Sequence, residues 1–260
     1  MSSNPQPVTL TREGPIGVLR MEREHGNAIN DALVEGLVAT LAEAESDPEI
    51  RGVLLTAGGK IFSPGLDLQE LSVLDREAME RFMRRFSAAV LTLYTFPKPV
   101  VASLHGPALA GGCVLALCAD WRVLRRGAVT GLNEVKVGVP LPFGVALIVR
   151  EVVPKNRLTE VALLGRNFAD EAALAAGLAD ELADAASVEA VSRERLEEFM
   201  SKDASAFAVT KRYFRSPVVE RIRANNRLLI PEWVDGWFSP GTTARVAALV
   251  AGLQDKGKPK

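Results

Sequence analysis

The feature that most constrains the fold of this chain is an apolar, glycine-interrupted run at residues 100–118, which follows directly after Pro97 and Pro99. The two prolines exclude a preceding helix, and residues 100–104 have the composition of a buried strand. The pair Gly111-Gly112 lets the backbone turn closely before a second apolar stretch that is typical of a buried helix. The run therefore predicts a strand, a turn and a helix.

A helix that begins at these glycines presents backbone N–H groups with no acceptor inside the helix, together with the positive end of the helix dipole. Such a position suits a developing negative charge. The alternative interpretation is a strand–helix junction in which small residues serve only close packing. The run by itself leaves both interpretations open.

Two further segments carry candidate functional groups. A glycine-containing loop at residues 62–68 follows another predicted buried strand, and if it faces residues 108–113, one N–H from each loop could hold the same oxygen atom. Glu134 is a single carboxylate among apolar and glycine residues, and partial burial would raise its pKa toward the range of a general base. Because Lys136 is close in sequence, a plain surface position for Glu134 is the alternative.

The composition argues against several classes of partner. The 260 residues are 48% hydrophobic and 24% charged, which is enough for one large core and a smaller appendage. The formal net charge of −1 predicts no nucleic acid partner, and no apolar run is long enough to span a membrane. The spacing of Cys113 and Cys118 predicts two buried thiols rather than a disulfide or a metal site. We expect a cytoplasmic location, since the thiols suit a reducing compartment and residues 1–7 lack the pattern of a secretion signal.

Strands alternate with helices over most of the chain, which predicts an α/β core. The chain begins with a predicted hairpin over residues 8–22, whose turn is Gly14-Pro15, and Asn30 is the predicted N-cap of the first helix. The other predicted strands are residues 51–57, 100–104, 121–124 and 178–182, with an irregular apolar loop at 129–139. The predicted helices are residues 31–45, 78–96, 145–153, 157–164 and 170–176.

The last part of the chain is predicted to be helical, with breaks at Pro217 and Pro231. Its predicted helices are residues 192–200, 204–215, 218–237 and 242–253. We divide the chain into a core at residues 8–200, a helical region at 201–254, and flexible tails at 1–7 and 255–260. Trp233 and Trp237 exceed what these helices can bury alone, which predicts packing against the core or against another subunit.

Three ordered motifs carry a resemblance to a known family. They are FSPGLDL at residues 62–68, HGPALAGGC at 105–113 and the pair Asn133-Glu134. Together they resemble the crotonase (enoyl-CoA hydratase/isomerase) superfamily, and the likeness extends over nearly the whole chain. The resemblance implies a ClpP-like spiral of ββα units and a C-terminal helical region that forms a homotrimer or a dimer of trimers. It also implies an acyl-CoA thioester substrate and neither a metal nor a redox cofactor.

By this resemblance, the backbone N–H groups of Leu66 and Gly111 form the oxyanion hole for the thioester carbonyl. Two fixed donors stabilise an enolate more than the ground state, and one such donor is typically worth about 3 kcal/mol. The segment that would bind the CoA adenine through main-chain groups is Pro64, Gly65, Leu66, Asp67 and Leu68. Proline at position 64 departs from the alanine that is common in the family, and it loses only an N–H.

The carboxylates distinguish subfamilies. Hydratases of this family use two glutamates, and the first of them corresponds to Val114, which cannot transfer a proton. The second corresponds to Glu134, so the sequence is similar to mitochondrial-type Δ3,Δ2-enoyl-CoA isomerases. The resemblance implies that Glu134 moves a proton from C2 to C4 of a 3-enoyl-CoA and that Asn133 contacts the substrate. The expected apolar wall for the acyl chain, which core packing would explain equally well, is Val114, Val139, Pro140, Leu141 and Phe143.

Three alternatives remain open at this point. The nearest is an enoyl-CoA hydratase or another crotonase-type acyl-CoA enzyme, because one scaffold hosts several reactions. The second is RNA binding, which occurs in some superfamily members, and the third is a catalytically silent scaffold. Two short basic clusters are interpreted as solvated faces or contacts to CoA phosphates rather than an RNA surface. Their members are Arg81, Arg84, Arg85, Arg122, Arg125 and Arg126.

Overall fold

The computed structural model describes residues 6–256, so the outer parts of the two predicted tails, residues 1–5 and 257–260, lie outside the described residues. Nine strands are found in this range: β1 (Val8–Glu13), β2 (Ile16–Met21), β3 (Gly52–Ala57), β4 (Val100–Leu104), β5 (Ala108–Leu109), β6 (Trp121–Arg125), β7 (Val129–Gly131), β8 (Asn167–Ala169) and β9 (Glu181–Ala183).

The helices of the described range begin with five in the first half of the chain: α1 (Glu24–Asn27), α2 (Asp31–Ser46), α3 (Leu68–Leu71), α4 (Arg76–Tyr94) and α5 (Gly111–Cys118). The second half contains α6 (Glu134–Val137), α7 (Phe143–Val152), α8 (Asp170–Ala175), α9 (Val188–Met200), α10 (Ala204–Trp237) and α11 (Pro240–Lys256). A short 3-10 helix at Lys155–Arg157 and a π-helix at Thr159–Leu163 follow α7.

The main sheet has six strands in the order β1-β2-β3-β4-β6-β9. β1 and β2 form the predicted antiparallel hairpin, and the remaining pairs are parallel. Every residue of β3 and β4 is buried. Continuous apolar strands of this kind arise because helices cover both faces of a parallel sheet. A smaller sheet, β5-β7-β8, extends from the end of β4.

Helices on the two faces of the main sheet form two separate parts of the core. On one face, α4 buries the predicted side chains Phe82, Phe86, Ala89 and Leu93 beneath α2. On the other face, Leu196 and Met200 of α9 pack against β3 and β4. The predicted N-cap is confirmed, because the Asn30 side chain accepts a hydrogen bond from the Leu33 N–H at 3.0 Å.

The predicted helix breaks at Pro217 and Pro231 are wrong, because α10 continues through both prolines. Each proline removes one backbone donor, and that cost is offset by packing along the helix. Val218, Val219 and Ile222 are buried beside the first proline, and Ile230, Trp233 and Val234 are buried beside the second. The helix contacts α4 and α7 along its length.

Two other predictions are corrected. Residues 129–139, predicted as a loop, contain β7 and α6, and residues 157–164 form 3-10 and π-helical turns rather than an α-helix. β7 is three residues long and pairs with β5 and β8, so its stability comes from distant partners rather than from a local pattern. The division of the chain at residue 200 stays a prediction.

The two cysteines are free and buried, as predicted. Burial raises the pKa of both thiols to about 12. Within residues 6–256, no helix is both long enough and apolar enough to cross a membrane.

Candidate active site

The two glycine loops lie against each other, which is the condition that the sequence analysis set for a shared oxygen site. The N–H groups of Phe62 and Ser63 donate to the Pro107 carbonyl at 3.0 and 3.2 Å, and the Leu109 N–H donates to the Ser63 carbonyl at 2.9 Å. A Cβ atom on Gly65 would lie 2.8 Å from the Cβ of Ala110 and 3.0 Å from the Gly111 nitrogen. Gly65 also has a φ of 100°, so both the contact and the backbone conformation require glycine there.

The backbone N–H groups of Leu66 and Gly111 are both available to a ligand. Leu66 pairs with Ile29 in a single β-bridge, whose two hydrogen bonds use the residues that flank Leu66. The Ile29 N–H donates to the Gly65 carbonyl at 2.8 Å, and the Asp67 N–H donates to the Ile29 carbonyl at 2.9 Å. Gly111 is the first residue of α5, where helical N–H groups lack an internal acceptor. Among the hydrogen bonds of the described residues, neither N–H has an acceptor. Both residues line the same cavity.

A strained residue orients the start of α5. Ala110 has φ 46° and ψ −122°, a conformation that non-glycine residues rarely adopt. Its N–H donates to the Gly131 carbonyl at 2.8 Å, which ties the turn to β7. Such strain persists where the surroundings fix the backbone, and it is common at functional sites.

The first loop is held by polar side chains that the sequence analysis did not identify. The buried Asn27 amide donates to the carbonyls of Gly58 (3.0 Å) and Ile61 (2.9 Å), and the Ser63 hydroxyl donates to the Asn27 carbonyl at 2.9 Å. The sequence signal that could have identified Asn27 is its position three residues before Asn30, the N-cap of α2. These bonds fix the backbone that leads to Leu66.

Asp67 has a structural position within the predicted CoA-binding segment. Its carboxylate caps α3 by accepting hydrogen bonds from the N–H groups of Gln69 and Glu70, and it forms an ion pair with Arg23 at 2.7 Å. Its own N–H is bonded to Ile29. Pro64, Leu66 and Leu68 line the cavity. Gly65 and Asp67 are not part of the lining and instead form hydrogen bonds with the backbone of Ile29.

Glu134 is the first residue of the one-turn helix α6, and its side chain faces the same cavity, beside Asn133. Its Oε2 atom is buried and has no hydrogen-bond partner. Loss of water around the carboxylate raises the pKa of Glu134 to about 7, an effect that the hydrogen bond from its own N–H partly opposes. The surface alternative for Glu134 is therefore wrong, and the carboxyl can exchange a proton near neutral pH.

The cavity has a volume of about 220 Å³ and brings together most of the predicted site residues. The polar side chains in its lining are those of Asn133 and Glu134, together with the indole N–H groups of Trp233 and Trp237, and Glu134 is the one titratable side chain among the described lining residues. The rest is apolar. Of the five residues predicted for the acyl wall, Val114, Val139 and Pro140 line the cavity, whereas Leu141 and Phe143 pack against the core instead.

Comparison with known proteins identifies the family. The profile described as enoyl-CoA hydratase/isomerase matches residues 11–228. The chain belongs to this family. It is therefore an enzyme of the crotonase superfamily, and the α/β crotonase fold with its C-terminal helical region, predicted from the sequence, is confirmed.

Relatives within the crotonase superfamily have different names. A carnitinyl-CoA dehydratase of Salmonella typhi is 30% identical over 220 residues, which cover 82% of this chain and 84% of the relative. A Mycobacterium tuberculosis protein, called an enoyl-CoA isomerase in one structure and a probable enoyl-CoA hydratase in another, is 29% identical, with a TM-score of 0.78 and coverage of 94% and 98% in the first. The human mitochondrial Δ3-Δ2-enoyl-CoA isomerase has a TM-score of 0.93 at 22% identity, covering 97% of this chain and 100% of the human one, which shows the shared fold.

The crotonase cavity is completed by residues of the C-terminal helices that sequence reasoning did not assign to it. Trp233 and Trp237 of α10 stack with their ring centroids 5.6 Å apart, and both line the cavity together with Leu249 of α11. The sequence predicted only that the two tryptophans need a packing partner. The structure shows that this partner is the core of the same chain.

The arginines of the two basic clusters do not form a shared positively charged surface, because each has its own partner. Arg122 is buried and pairs with Asp180 at 2.6 Å, so its interpretation as a solvated residue or a phosphate contact is wrong. The others have separate partners: Arg81–Glu77, Arg84–Glu80, Arg85–Asp31, Arg125 to the His105 carbonyl, and Arg126–Glu171. Pairing with carboxylates reduces the charge that RNA phosphates would require.

Proposed function

We propose that this crotonase-family enzyme is a Δ3,Δ2-enoyl-CoA isomerase, which moves the double bond of an enoyl-CoA thioester from the 3- to the 2-position. The observation that carries this proposal is the composition of the cavity. It presents one titratable group, Glu134, and has Val114 where a hydratase would need a second carboxyl group. Moving a proton between two carbons needs one base, whereas adding water needs groups that both activate the water and protonate the product.

In the proposed reaction, the thioester oxygen accepts hydrogen bonds from the N–H groups of Leu66 and Gly111. Negative charge grows on this oxygen as C2 loses its proton, so both hydrogen bonds strengthen toward the enolate. The loop of Pro64, Gly65, Leu66, Asp67 and Leu68 holds the CoA portion: Pro64, Leu66 and Leu68 face the cavity, and Gly65 and Asp67 fix the loop backbone through their own hydrogen bonds. Asn133 contacts the substrate beside Glu134.

The proton transfer is balanced within the active site. The ionised Glu134 accepts the proton from C2, and the electrons of that C–H bond enter a dienolate that extends from the thioester oxygen to C4. The dienolate then takes the same proton from Glu134 at C4, which leaves the double bond between C2 and C3. No electron leaves the substrate and no water is added, so the reaction as proposed requires neither a metal nor a redox cofactor.

The apolar cavity wall supports the same reaction. Val114, Val139 and Trp237 line the same cavity as Glu134, and an acyl chain bound against these apolar side chains displaces water from it. Exclusion of water protects a dienolate from protonation by solvent and keeps the pKa of the carboxyl high. An acyl chain without polar groups fits this wall.

The pH dependence of the reaction follows from the state of Glu134. As a base, it must be ionised in the free enzyme, and its pKa is raised to about 7. We expect kcat/KM for a 3-enoyl-CoA to rise with pH, with an apparent pKa of about 7, and to fall about tenfold per unit well below it. Steady-state rates measured between about pH 5.5 and 8.5 test this. A profile that is flat or that falls with increasing pH would contradict the assignment of Glu134 as the base.

The competing candidate is a hydratase or dehydratase, which the similarity to carnitinyl-CoA dehydratase favours. Separate assays with trans-3-hexenoyl-CoA and crotonyl-CoA discriminate between the two. We expect conversion of the 3-enoyl-CoA to the 2-enoyl-CoA and little hydration of crotonyl-CoA. Rapid hydration of crotonyl-CoA that is lost in Glu134→Gln would contradict the isomerase proposal.

We also propose that copies of the chain associate through the C-terminal region as a homotrimer or a dimer of trimers. The outward side of α10 carries exposed apolar side chains, Tyr213, Phe214 and Leu228. Large apolar side chains on one exposed helix support a contact between copies.

A further inference from the structure

The helix that carries Glu134 is too short to be stable without contacts to the rest of the protein. α6 is a single turn, Glu134–Val137, and none of its residues is fully buried. Its N-terminus has no side-chain cap. A single isolated turn is unstable, because its few hydrogen bonds do not offset the loss of backbone freedom. The direction of the Glu134 carboxyl therefore depends on the contacts at the ends of the turn.

A side chain from the C-terminal helix α11 holds the end of this turn. Gly138 terminates α6 in a left-handed conformation, with φ 86°, and its N–H is used within the turn. Its carbonyl points away and accepts a hydrogen bond from the Thr242 hydroxyl at 2.6 Å. Thr242 is 2% exposed, and its oxygen also accepts a hydrogen bond from the Ser239 hydroxyl at 3.0 Å. The Thr242 hydroxyl thus donates one hydrogen bond and accepts another, which fixes its orientation.

A second hydrogen bond from the C-terminal region supports the segment that leaves α6. The indole Nε1 of the buried Trp233 donates to the Pro140 carbonyl at 2.7 Å. α10 and α11 are therefore connected to the residues directly after the turn by two partly buried hydrogen bonds, whose donors, Trp233 and Thr242, are buried. Removing either donor would leave its carbonyl without this protein partner, which weakens the attachment of the turn.

We propose that Thr242 is a positioning residue, which holds α6 through the Gly138 carbonyl so that the Glu134 carboxyl faces the cavity. The inference rests on the proposed function of Glu134 as the base. It gives α11 a part in the reaction that is exerted through α6, since Thr242 itself does not line the cavity.

The test compares three substitutions in the full-length protein. Thr242→Val keeps the shape of the side chain and removes the hydroxyl, whereas Thr242→Ser keeps the hydroxyl. Thr243→Val is the matched control, since Thr243 is exposed on the same helix and its hydroxyl bonds only to the Ser239 carbonyl. We expect Thr242→Val to lower kcat by roughly tenfold with KM nearly unchanged, and both other variants to retain kcat within about twofold.

A readout that does not depend on activity is the titration of the Glu134 carboxyl, followed by NMR with carboxyl carbons labelled by ¹³C. A loosened turn gives the carboxyl more water, so we expect its pKa in Thr242→Val to fall from about 7 toward its ordinary value of 4.5. Thr242→Ser and Thr243→Val should retain the wild-type titration. Melting temperatures establish that each variant is folded, and Thr242→Ala replaces Thr242→Val if the latter does not fold.

An unchanged kcat and an unchanged Glu134 titration in Thr242→Val would overturn the proposal. Equal losses in Thr242→Val and Thr243→Val, or no recovery in Thr242→Ser, would also overturn it. The proposed function fails by a different result, namely full activity of Glu134→Gln. The carboxyl titration then still reports whether Thr242 positions Glu134, so the two failures can be distinguished.

Discussion

Glu134→Gln is expected to lower kcat for 3-enoyl-CoA isomerisation by about 10³-fold, which lies within the range of about 10²- to 10⁴-fold for loss of a general base. Glutamine has the same shape as glutamate but cannot accept the C2 proton. The loss of isomerase activity should be nearly complete, because the described cavity lining contains no second titratable side chain that could replace Glu134.

The binding of substrate should change little in this variant. The oxyanion donors belong to the backbone of Leu66 and Gly111, and the apolar wall is untouched. Replacing a carboxyl that is half protonated near pH 7 by a neutral amide also leaves the fold without a new buried charge. Affinity for a saturated acyl-CoA, measured by calorimetry, separates binding from catalysis.

A matched control is Glu80→Gln, at a partly buried glutamate that pairs with Arg84 on the surface of α4. We expect wild-type kcat and KM for this control. Activity of Glu134→Gln within a few-fold of wild type, with the control normal, would contradict a role for Glu134 as the base.

The second large effect is expected for Gly65→Ala, which should lower kcat/KM by at least about 10²-fold. The new methyl group would lie 2.8 Å from the Ala110 Cβ and 3.0 Å from the Gly111 nitrogen, so the two loops must separate. Separation moves both proposed oxyanion donors, because Leu66 follows position 65 directly and Gly111 is the residue that is contacted. Loss of one such donor typically reduces kcat by about 10²- to 10³-fold.

Gly127→Ala is the control for backbone strain. Gly127 has a φ of 75°, and a Cβ atom there would have no neighbour within 4 Å. Both substitutions carry the cost of a left-handed alanine, which is about 1 kcal/mol of stability, but only Gly65→Ala forces the loops apart. We therefore expect Gly127→Ala to keep wild-type kcat/KM with a small loss of stability, whereas Gly65→Ala should lose activity and melt at a lower temperature than Gly127→Ala. Equal kcat/KM in the two variants would show that the contact between the loops has no part in catalysis.

Elements with local signals were predicted well from the sequence. The Gly14-Pro15 turn, the Asn30 cap and the apolar run of β4 depend on residues within a few positions, and all three appear in the structure. Whether the two glycine loops face each other was left open by the sequence. They do so in the structure because both follow adjacent parallel strands whose carboxyl ends meet at one edge of the sheet. The position of Glu134 near them followed from the family resemblance rather than from its local sequence.

Features that depend on distant contacts were predicted poorly. Pro217 and Pro231 have strong local effects, yet packing of α10 against α4 and α7 keeps the helix continuous. Arg122 has the sequence of a surface residue, and its burial depends on Asp180, which is 58 residues away. Trp233 and Trp237 reach the cavity only because α10 folds back over the core. No local pattern contains this information.

The most direct test of the central claim is a crystal structure of Glu134→Gln with a bound 3-enoyl-CoA. We predict that the thioester oxygen lies about 3 Å from the nitrogen atoms of both Leu66 and Gly111. The side-chain amide at position 134 should lie within about 3.5 Å of both C2 and C4, on one face of the acyl chain. A thioester oxygen bound elsewhere, or a side chain at position 134 that reaches neither carbon, would contradict the proposed reaction.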